Sequence, residues 1–485
     1  MRVLLLSTYE LGHQPLGIAA PAAALEAAGH ATRGVDLSAS ELSAETLAWA
    51  EAVAISIPMH TATRLGAEAV SAVRRLRPDL PVAWHGLYAP VLAGSQLVGP
   101  LDLLVAGEAG SALLSWLDSL AAGQPTGGAG SAALAPAAAE GAAVRIDLGP
   151  SRPAAGALPP LRRDLPPLES YARLVVEGSE VVTASVAAST GCNHRCRHCP
   201  VAAVYRGRSR LIEAAAVLED VAQVVAGGAG HISFADPDFL NRPRHALEVA
   251  RALHAGFPAL TFDATVKVEH ILRHRELWDE LRDAGLLFIV SAFESVDDAV
   301  LARLDKGHTA ADEAVALEVV RSAGIELRPS WLPFTPWTTL ASVGALLEFV
   351  AEQDLVSSTD PVQYSIRLLL PNGSLLLESP DETLARSLQG VRDGSTSWVA
   401  PEAALDELQA RIAERAEQAD DEPLEFTFAA IWQLARSAGA PLGAEPPQPV
   451  VRPWLAGRLR PHLTESWFCC AEPTGAQLQR LGVPS

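Results

Sequence analysis

Residues 191–200 read Gly-Cys-Asn-His-Arg-Cys-Arg-His-Cys-Pro, and this stretch decides how the chain of 485 residues is interpreted. It holds three of the five cysteines, which are Cys192, Cys196 and Cys199. Spacings of four and three residues let one loop turn all three thiolates toward one point, as an iron-sulfur cluster or a metal ion requires. A closed structural zinc site needs four protein ligands. Three thiolates on a 4Fe-4S cluster instead leave one iron open, so the three cysteines are predicted metal ligands.

The cysteine spacing, C-x3-C-x2-C directly after a predicted strand, resembles the cluster loop of the radical S-adenosylmethionine (SAM) superfamily. The residue before the third cysteine is usually aromatic in that superfamily, and here it is His198. The resemblance implies a 4Fe-4S cluster and SAM as cofactors, a small-molecule substrate, and an external electron donor of the ferredoxin or flavodoxin type. The alternative is a zinc knuckle with His194 or His198 as fourth ligand, in a non-enzymatic zinc-binding interaction protein.

The composition argues against several other classes of protein. The net charge of -20 leaves no excess of basic residues for phosphate backbones, which disfavours a nucleic-acid partner. The cysteines are too few for a disulfide framework, and cluster thiolates need a reducing compartment, so we expect the cytoplasm. No apolar run is long enough for a signal peptide core or a membrane span, so we expect no membrane partner.

The fold class predicted for the chain is α/β, and residues 1–122 form its first domain. Short apolar runs alternate with helical patterns, as in a buried parallel sheet. We therefore predict a Rossmann-like, doubly wound domain that binds any ligand at the carboxyl ends of its strands. The predicted strands are residues 3–7, 52–57, 81–84 and 101–106, and the predicted helices are residues 17–28 and 61–76.

The loop at residues 9–17, together with residues 85–88, resembles the cobalamin-binding domain that precedes many radical enzymes. The family pattern Asp-x-His-x-x-Gly is not met, since Leu11 stands two residues before His13 and the next glycine is Gly17. Many such enzymes bind cobalamin without a histidine ligand. The resemblance therefore implies cobalamin as a further cofactor with His13 in its binding loop, and the alternative is a scaffold that has lost the cofactor.

Residues 123–174 are predicted to be a linker followed by a lead-in to the next domain. The first part is rich in Ala, Gly and Pro and lacks a periodic apolar pattern. Residues 161–173 resemble the lead-in segment that precedes radical SAM domains.

Residues 175–380 alternate between strand and helix patterns six times, which predicts a partial (β/α)6 TIM-like barrel. The resemblance to the radical SAM superfamily extends through this whole segment. The predicted strands are residues 181–188, 231–234, 260–264, 286–292, 325–328 and 363–368. The predicted helices are residues 213–226, 245–255, 276–284, 310–323 and 339–353.

Polar residues gather at the carboxyl ends of these strands, where barrels bind their ligands. That arrangement favours a polar small molecule over the barrel mouth. The resemblance assigns residues 227–230 to the glycine-rich turn that contacts the amino group of SAM, with an aspartate in place of the usual acid. It also places the end of strand 286–292 beside the ribose and methionyl part of SAM. The candidate cofactor-binding residues are Asp236, Asp238, Lys267, Glu294, Ser295 and Arg367.

Residues 381–485 are predicted to form a helical extension, with helices at residues 401–419 and 426–437. Residues 465–473 read Glu-Ser-Trp-Phe-Cys-Cys-Ala-Glu-Pro and resemble the tail of the CUAEP/CCAEP radical SAM family. Adjacent cysteines form only a strained disulfide. Since relatives carry selenocysteine at the second position, Cys469 and Cys470 are predicted to be reactive residues that take part in catalysis or substrate binding.

The sequence thus predicts a radical SAM enzyme that reductively cleaves SAM at a 4Fe-4S cluster and starts radical chemistry on a small molecule. Two alternative reactions remain open. One is transfer of the 3-amino-3-carboxypropyl group to a thiol-bound soft element such as arsenic, and the other is cobalamin-dependent radical methyl transfer.

Overall fold

The computed structural model describes residues 1–92, 101–123, 143–147, 158–392, 394–419, 422–450, 452 and 460–465. Its strands are β1 (Arg2–Ser7), β2 (Ala31–Asp36), β3 (Ala52–Ser56), β4 (Val82–Gly86), β5 (Leu103–Gly107), β6 (Ala143–Asp147), β7 (Arg173–Val176), β8 (Ser179–Val186), β9 (Ser189–Gly191), β10 (Ser209–Leu211), β11 (His231–Phe234), β12 (Thr261–Thr265), β13 (Leu286–Glu294), β14 (Glu326–Trp331), β15 (Leu388–Arg392), β16 (Ser395–Trp398) and β17 (His462–Leu463).

The α-helices lie between these strands, with two more near the end of the described chain. They are α1 (Leu16–Ala27), α2 (Ala44–Trp49), α3 (His60–Leu76), α4 (Gly110–Ala121), α5 (Pro200–Tyr205), α6 (Ala214–Ala226), α7 (Pro243–Gly256), α8 (Val268–Arg273), α9 (Trp278–Asp283), α10 (Asp298–Arg303), α11 (Ala310–Ser322), α12 (Leu340–Glu352), α13 (Leu375–Glu378), α14 (Glu382–Ser387), α15 (Ala403–Glu417) and α16 (Leu424–Ser437). None of the described helices is both long and apolar enough to cross a bilayer.

Within the described residues, the first sheet consists of parallel strands in the order β2-β1-β3-β4-β5-β6. Separate apolar clusters form around Leu6 on one face and around Leu5 on the other, because successive side chains of a strand point to opposite faces. This is the predicted doubly wound sheet, and its switch point lies between β1 and β3. The segment predicted as a linker contributes β6, so the sheet extends beyond residue 122.

The second sheet has the order β14-β13-β12-β11-β8-β7-β17 over the described residues. The run from β8 to β14 is parallel and forms the curled half-barrel, whereas β7 and β17 pair antiparallel at its edge. The predicted α/β fold is therefore confirmed, but the sixth barrel strand at residues 363–368 is wrong. A 3-10 helix (Pro361–Ser365) occupies the first half of that segment, and a single bridge joins Arg367 to Phe334 in the second half.

The register of β11 against β8 fixes which end of the barrel carries the site. Phe234 pairs with Val186 and His231 pairs with Thr183, so the cysteine loop lies beyond the Phe234 end of β11. Residues 227–230 precede His231 and therefore lie at the opposite end of the strand. The assignment of residues 227–230 to the SAM amino group is wrong for this reason.

The helical extension packs on the barrel instead of standing apart from it. Ile412 of α15 and Trp432 of α16 belong to the barrel core, and Phe428 lies 5.6 Å from Tyr364 between ring centroids. The predicted tail pair, Cys469 and Cys470, lies outside the described residues.

Candidate active site

The three cysteine side chains of the loop after β9 are free thiols. Burial, with a contribution from the neighbouring Cys196, raises the pKa of Cys192 to about 11 and that of Cys199 to about 12. Partly buried thiols close enough to raise one another's pKa are the donor set that a soft metal centre stabilises, because the metal's positive charge compensates the negative charge of the thiolates. The loop therefore fits a 4Fe-4S cluster at Cys192, Cys196 and Cys199.

Two buried polar side chains hold the cysteine loop in place. Asn241, at the end of a 3-10 helix (Phe239–Asn241), accepts a hydrogen bond from Asn193 N at 3.0 Å, and its Oδ1 lies 3.7 Å from Cys192 Sγ. Asp236 accepts from Ala188 N at 2.8 Å and also from Ser189 Oγ. Since both Asp236 oxygens are used by the chain, its place in the structure is that of a loop support.

Glu294 ends β13 at a bulge, with a φ of 71°. Its Oε1 accepts from Lys306 Nζ at 3.2 Å and lies 3.1 Å from His198 Nε2. Burial alone would raise the pKa of Glu294, but the positive charges of Lys306 and His198 outweigh it and lower the pKa to about 2. A carboxylate fixed in its charged form thus tethers the ring of His198, directly before Cys199, to the end of β13.

A second polar group lies beside the cysteine loop. His194 Nδ1 accepts from Lys267 Nζ at 3.1 Å, and Lys267 Nζ lies 3.3 Å from Glu269 Oε2. Asp238 Oδ2 lies 2.7 Å from His270 Nδ1 and 3.6 Å from His194 Nε2. Burial, followed by the charge of Lys267, lowers the pKa of His194 to about 4, so its ring is neutral at pH 7.

The carboxyl edge of the first sheet meets the cysteine loop directly. Glu108, just after β5, accepts from Thr190 Oγ1 at 2.6 Å and forms an ion pair with Arg210. Both partners flank the loop, Thr190 in β9 and Arg210 in β10. Asn372 Nδ2 adds a hydrogen bond to Val91 O at 3.1 Å. These contacts bring the ligand-binding edges of the two sheets together.

The loop after β1 extends toward the interior of the barrel. Gly12 O accepts from Ala172 N at 2.8 Å, and Gln14 Oε1 accepts from Arg162 at 3.0 Å. His13 is buried, and burial lowers its pKa to about 4, with Asp263 of β12 near enough to oppose that shift. His13 therefore stands between the first domain and the barrel.

Several buried polar atoms at the carboxyl ends of β1, β3 and β4 lack a hydrogen-bond partner among the described residues. They lie at the switch point of the sheet, where doubly wound folds bind ligands. Such atoms are costly unless a ligand satisfies them. They are Ser7 Oγ, Thr8 Oγ1, Ser56 Oγ and His85 Nε2.

Not every predicted site residue joins this group. Arg367 binds Asp406 and the carbonyl of Trp398, and its guanidinium stacks 3.6 Å over the Trp398 ring. These contacts join Arg367 to the helical extension. The strand that was predicted to direct Arg367 toward the barrel mouth does not form. Ser295 is buried and its Oγ accepts from Asp297 N at 3.1 Å, at the start of α10.

Other members of the site carried no signal as single residues. His270 lies in the short helix α8, close to a second histidine and to two charged residues of the same helix. The sequence does not indicate which of these side chains points toward the site. Asn241 and Glu108 are separated from the cysteines by tens of residues. Lys306 alone could have been found, since it belongs to the Lys-Gly-His-Thr motif at residues 306–309.

A family profile described as the radical SAM superfamily matches residues 186–332. No curated protein matches the sequence. Among solved structures, the radical SAM methyltransferase TsrM from Kitasatospora setae, with tryptophan and a SAM analog bound, is 19% identical, with a TM-score of 0.60 over 78% of this chain and 75% of that one. The cobalamin-dependent SAM radical enzyme OxsB, with aqua-cobalamin bound, is 13% identical, with a TM-score of 0.65 over 86% of this chain and 67% of that one.

Residues 186–332 are therefore a radical SAM domain, and the chain is a radical SAM enzyme. Its radical SAM cofactors are a 4Fe-4S cluster and SAM. At these identities the likeness to TsrM and OxsB shows a shared fold, which places a Rossmann-like domain before a half-barrel.

Proposed function

We propose that the chain binds a corrinoid in its first domain and uses it together with SAM and the cluster to act on a small-molecule substrate. The observation that supports this most is the contact of Glu108 with Thr190 and Arg210. A ligand at the carboxyl edge of the first sheet would lie next to the SAM site at the cluster. When bound, the reduced cluster supplies the electron that cleaves a carbon-sulfur bond of SAM.

The first domain fits a corrinoid at the crevice between β1 and β3. The unpartnered atoms of Ser7, Ser56 and His85 offer polar contacts there. At Gly17, a Cβ atom would stand 2.2 Å from Ser56 Oγ, so the chain leaves room at this place only for glycine. TsrM and OxsB were each solved with cobalamin bound, which supports the same cofactor here.

The chain's own residues prepare the SAM site in the barrel. Asp236 and Asn241 fix the cysteine loop that would hold the cluster. Asp238 lies beside the loop, with Oδ2 3.6 Å from His194 Nε2, and Glu294 and Lys306 form a charged pair at the end of β13. We propose that Glu294, Lys306 and Lys267 orient SAM, and that Asp238 takes part in orienting the substrate.

The tail cysteines are proposed to act on the substrate or to bind it. Glu465 is the last described residue before them, and it accepts a hydrogen bond from Tyr9. It lines a cavity of about 280 Å³ beside the first domain, shared with Thr8, Gly12 and Tyr171.

We also propose that the chain acts on a small-molecule substrate, receives electrons from a donor of the ferredoxin or flavodoxin type, and works in the reducing cytoplasm. The donor is needed because the cluster must be reduced for each cleavage. The thiols require a compartment that keeps them reduced.

The test is the cleavage of SAM by anaerobic, cluster-loaded protein with a chemical reductant. We expect the Cys196→Ala variant to lose cleavage completely, and the Cys469→Ser/Cys470→Ser variant to keep the cluster and the cleavage while losing product formation. The nucleoside product assigns the reaction: 5′-deoxyadenosine for adenosyl radical chemistry, methylthioadenosine for 3-amino-3-carboxypropyl transfer, and S-adenosylhomocysteine for methyl transfer. Cleavage that survives the loss of Cys196 would refute the proposal.

A further inference from the structure

Three side chains from separate parts of the barrel meet beside the cysteine loop without being cluster ligands. His194 comes from the loop itself, Asp238 from the turn after β11, and His270 from α8. One ring nitrogen of each histidine and one Asp238 carboxylate oxygen lie within 4.8 Å of one another. The histidine rings are 4.7 Å apart between centroids.

The one hydrogen bond between these side chains, from ring to ring between His194 Nε2 and His270 Nε2 at 3.3 Å, does not account for the whole arrangement. Asp238 Oδ2 and His270 Nδ1 are buried, and neither has a hydrogen-bond partner among the described residues. They lie only 2.7 Å apart, but the N–H direction in the imidazole plane misses the oxygen. Two buried polar atoms that face each other without bonding carry a desolvation penalty, unless a third group binds both.

We propose that His194, Asp238 and His270 form a binding site for a divalent first-row transition metal ion such as zinc or iron. Two imidazoles and one carboxylate are the donor set of open catalytic sites for these ions. Metal-ligand bonds of about 2.1 Å in a tetrahedral site separate the ligand atoms by about 3.4 Å. His194 Nε2 and Asp238 Oδ2 are already at 3.6 Å, whereas Asp238 and His270 must part slightly.

The neighbours of His194 can fix its ring for this role. Coordination through Nε2 requires the proton on Nδ1, and Glu269 Oε2, 3.6 Å from Nδ1, must move closer to accept it. Lys267 now donates to Nδ1, so it must turn to its other partner, Glu269, when the metal binds. The result is the carboxylate-histidine-metal arrangement that sets the tautomer of a ligand. Glu269 is thus a positioning residue.

The position of the site gives it a use in the reaction. Three protein ligands leave at least one coordination position for an oxygen, nitrogen or sulfur donor. His194 stands between Cys192 and Cys196 in the loop, so a molecule bound there would be held beside the cluster. Anchoring the substrate in this way rests on the proposed function, whereas metal binding itself does not.

The experiment loads anaerobic protein with its cluster, equilibrates it with zinc(II) chloride, removes free metal and measures zinc and iron per chain. We expect one zinc ion beyond the cluster iron. Asp238→Asn and His270→Ala should each weaken zinc binding at least tenfold and leave the iron content unchanged. His274→Ala is the matched control, since its ring lies 5.8 Å from that of His270 at the end of the same helix and outside the set.

Two results would overturn the site: no zinc bound beyond the cluster, or equal zinc in wild type and in Asp238→Asn. The asparagine retains Oδ1, which caps Leu240 N at 3.1 Å, so this variant decides the question even if His270→Ala does not fold. Unchanged zinc with weaker SAM binding would assign Asp238 to the SAM amino group and reject the metal. Zinc uptake is measured without turnover. Zinc can therefore bind to protein that does not cleave SAM, and SAM can be cleaved by protein that binds no extra zinc, so the two proposals fail independently.

Discussion

Glu10 is half-buried beside the start of α1, where its carboxylate accepts hydrogen bonds from Leu16 N at 3.0 Å and Gly17 N at 3.1 Å. Burial raises its pKa from 4.5 to about 7, against the lowering effect of the Gly17 hydrogen bond. A carboxyl whose folded pKa lies above its unfolded value favours the folded state at low pH. That contribution is full below pH 4.5 and is lost as the pH rises toward 7.

Glu10→Gln should therefore change how stability depends on pH. Glutamine keeps an acceptor for the helix start and cannot ionise, so the variant avoids a loss of about 3 kcal/mol between pH 4.5 and 7. We expect its thermal midpoint, relative to wild type, to rise between pH 5 and pH 7.5. Glu51→Gln is the control, because Glu51 is exposed and its pKa is lowered by the backbone N–H of Arg2. A wild-type-to-Glu10→Gln difference that stays constant with pH would contradict the assignment.

At the scale of single elements, the cysteine loop depends on the 3-10 helix that carries Asn241. The Asn241 amide accepts from Asn193 N at 3.0 Å, and its backbone oxygen accepts from Asn193 Nδ2 at 3.0 Å. Asn241→Ala removes the acceptor of the Asn193 N–H, and the loss of such a hydrogen bond costs about 0.5–1.5 kcal/mol. We expect the cluster-loaded variant to lose iron to a chelator about tenfold faster than wild type.

Asn372→Ala provides the comparison, since the Asn372 amide donates to Val91 O and not to the cysteine loop. It should release iron at the wild-type rate. Equal rates for Asn241→Ala and wild type would show that the cysteines hold the loop without Asn241.

The elements that the sequence predicted well are those with uninterrupted apolar runs. The strand His231–Phe234 was predicted with both of its bounds correct. A parallel strand that is buried on both faces gives a short continuous run of buried residues, which is easily recognised in a sequence. β2 was missed since Ala-Thr-Arg-Gly-Val-Asp mixes polar and apolar residues. Residues 363–368 also mix polar and apolar residues, but they were predicted as a strand. Pro361 instead starts a 3-10 helix that runs into this segment.

The site was predictable only where a local motif carries it. The spacing of the cysteines predicted the metal ligands, and the motif at residues 306–309 offered a signal for Lys306, which the candidate residues did not include. The meeting of His194, Asp238 and His270 depends instead on the register of β8 and β11 and on the packing of α8. No local pattern encodes a contact across 76 residues such as that of His194 with His270.

On the scale of the whole molecule, two parallel sheets turn their carboxyl edges toward one another. Glu108 at the end of β5 binds the residues that flank the cysteine loop, and the loop after β1 carries His13 to the barrel. The lead-in segment also connects the two domains, since Arg162 binds Gln14 of the first domain and Asp220 of α6. A corrinoid bound to the first domain, as proposed, would therefore lie at a boundary shared with the cluster and SAM.

The most direct test of that arrangement supplies iron, sulfide and hydroxocobalamin to anaerobic protein, and measures iron and corrinoid per chain after gel filtration. The account predicts about four iron atoms and one corrinoid. The Cys192→Ala/Cys196→Ala/Cys199→Ala variant should lose the iron and keep the corrinoid. Protein that retains zinc without iron, or a full cluster with no corrinoid, would contradict the account.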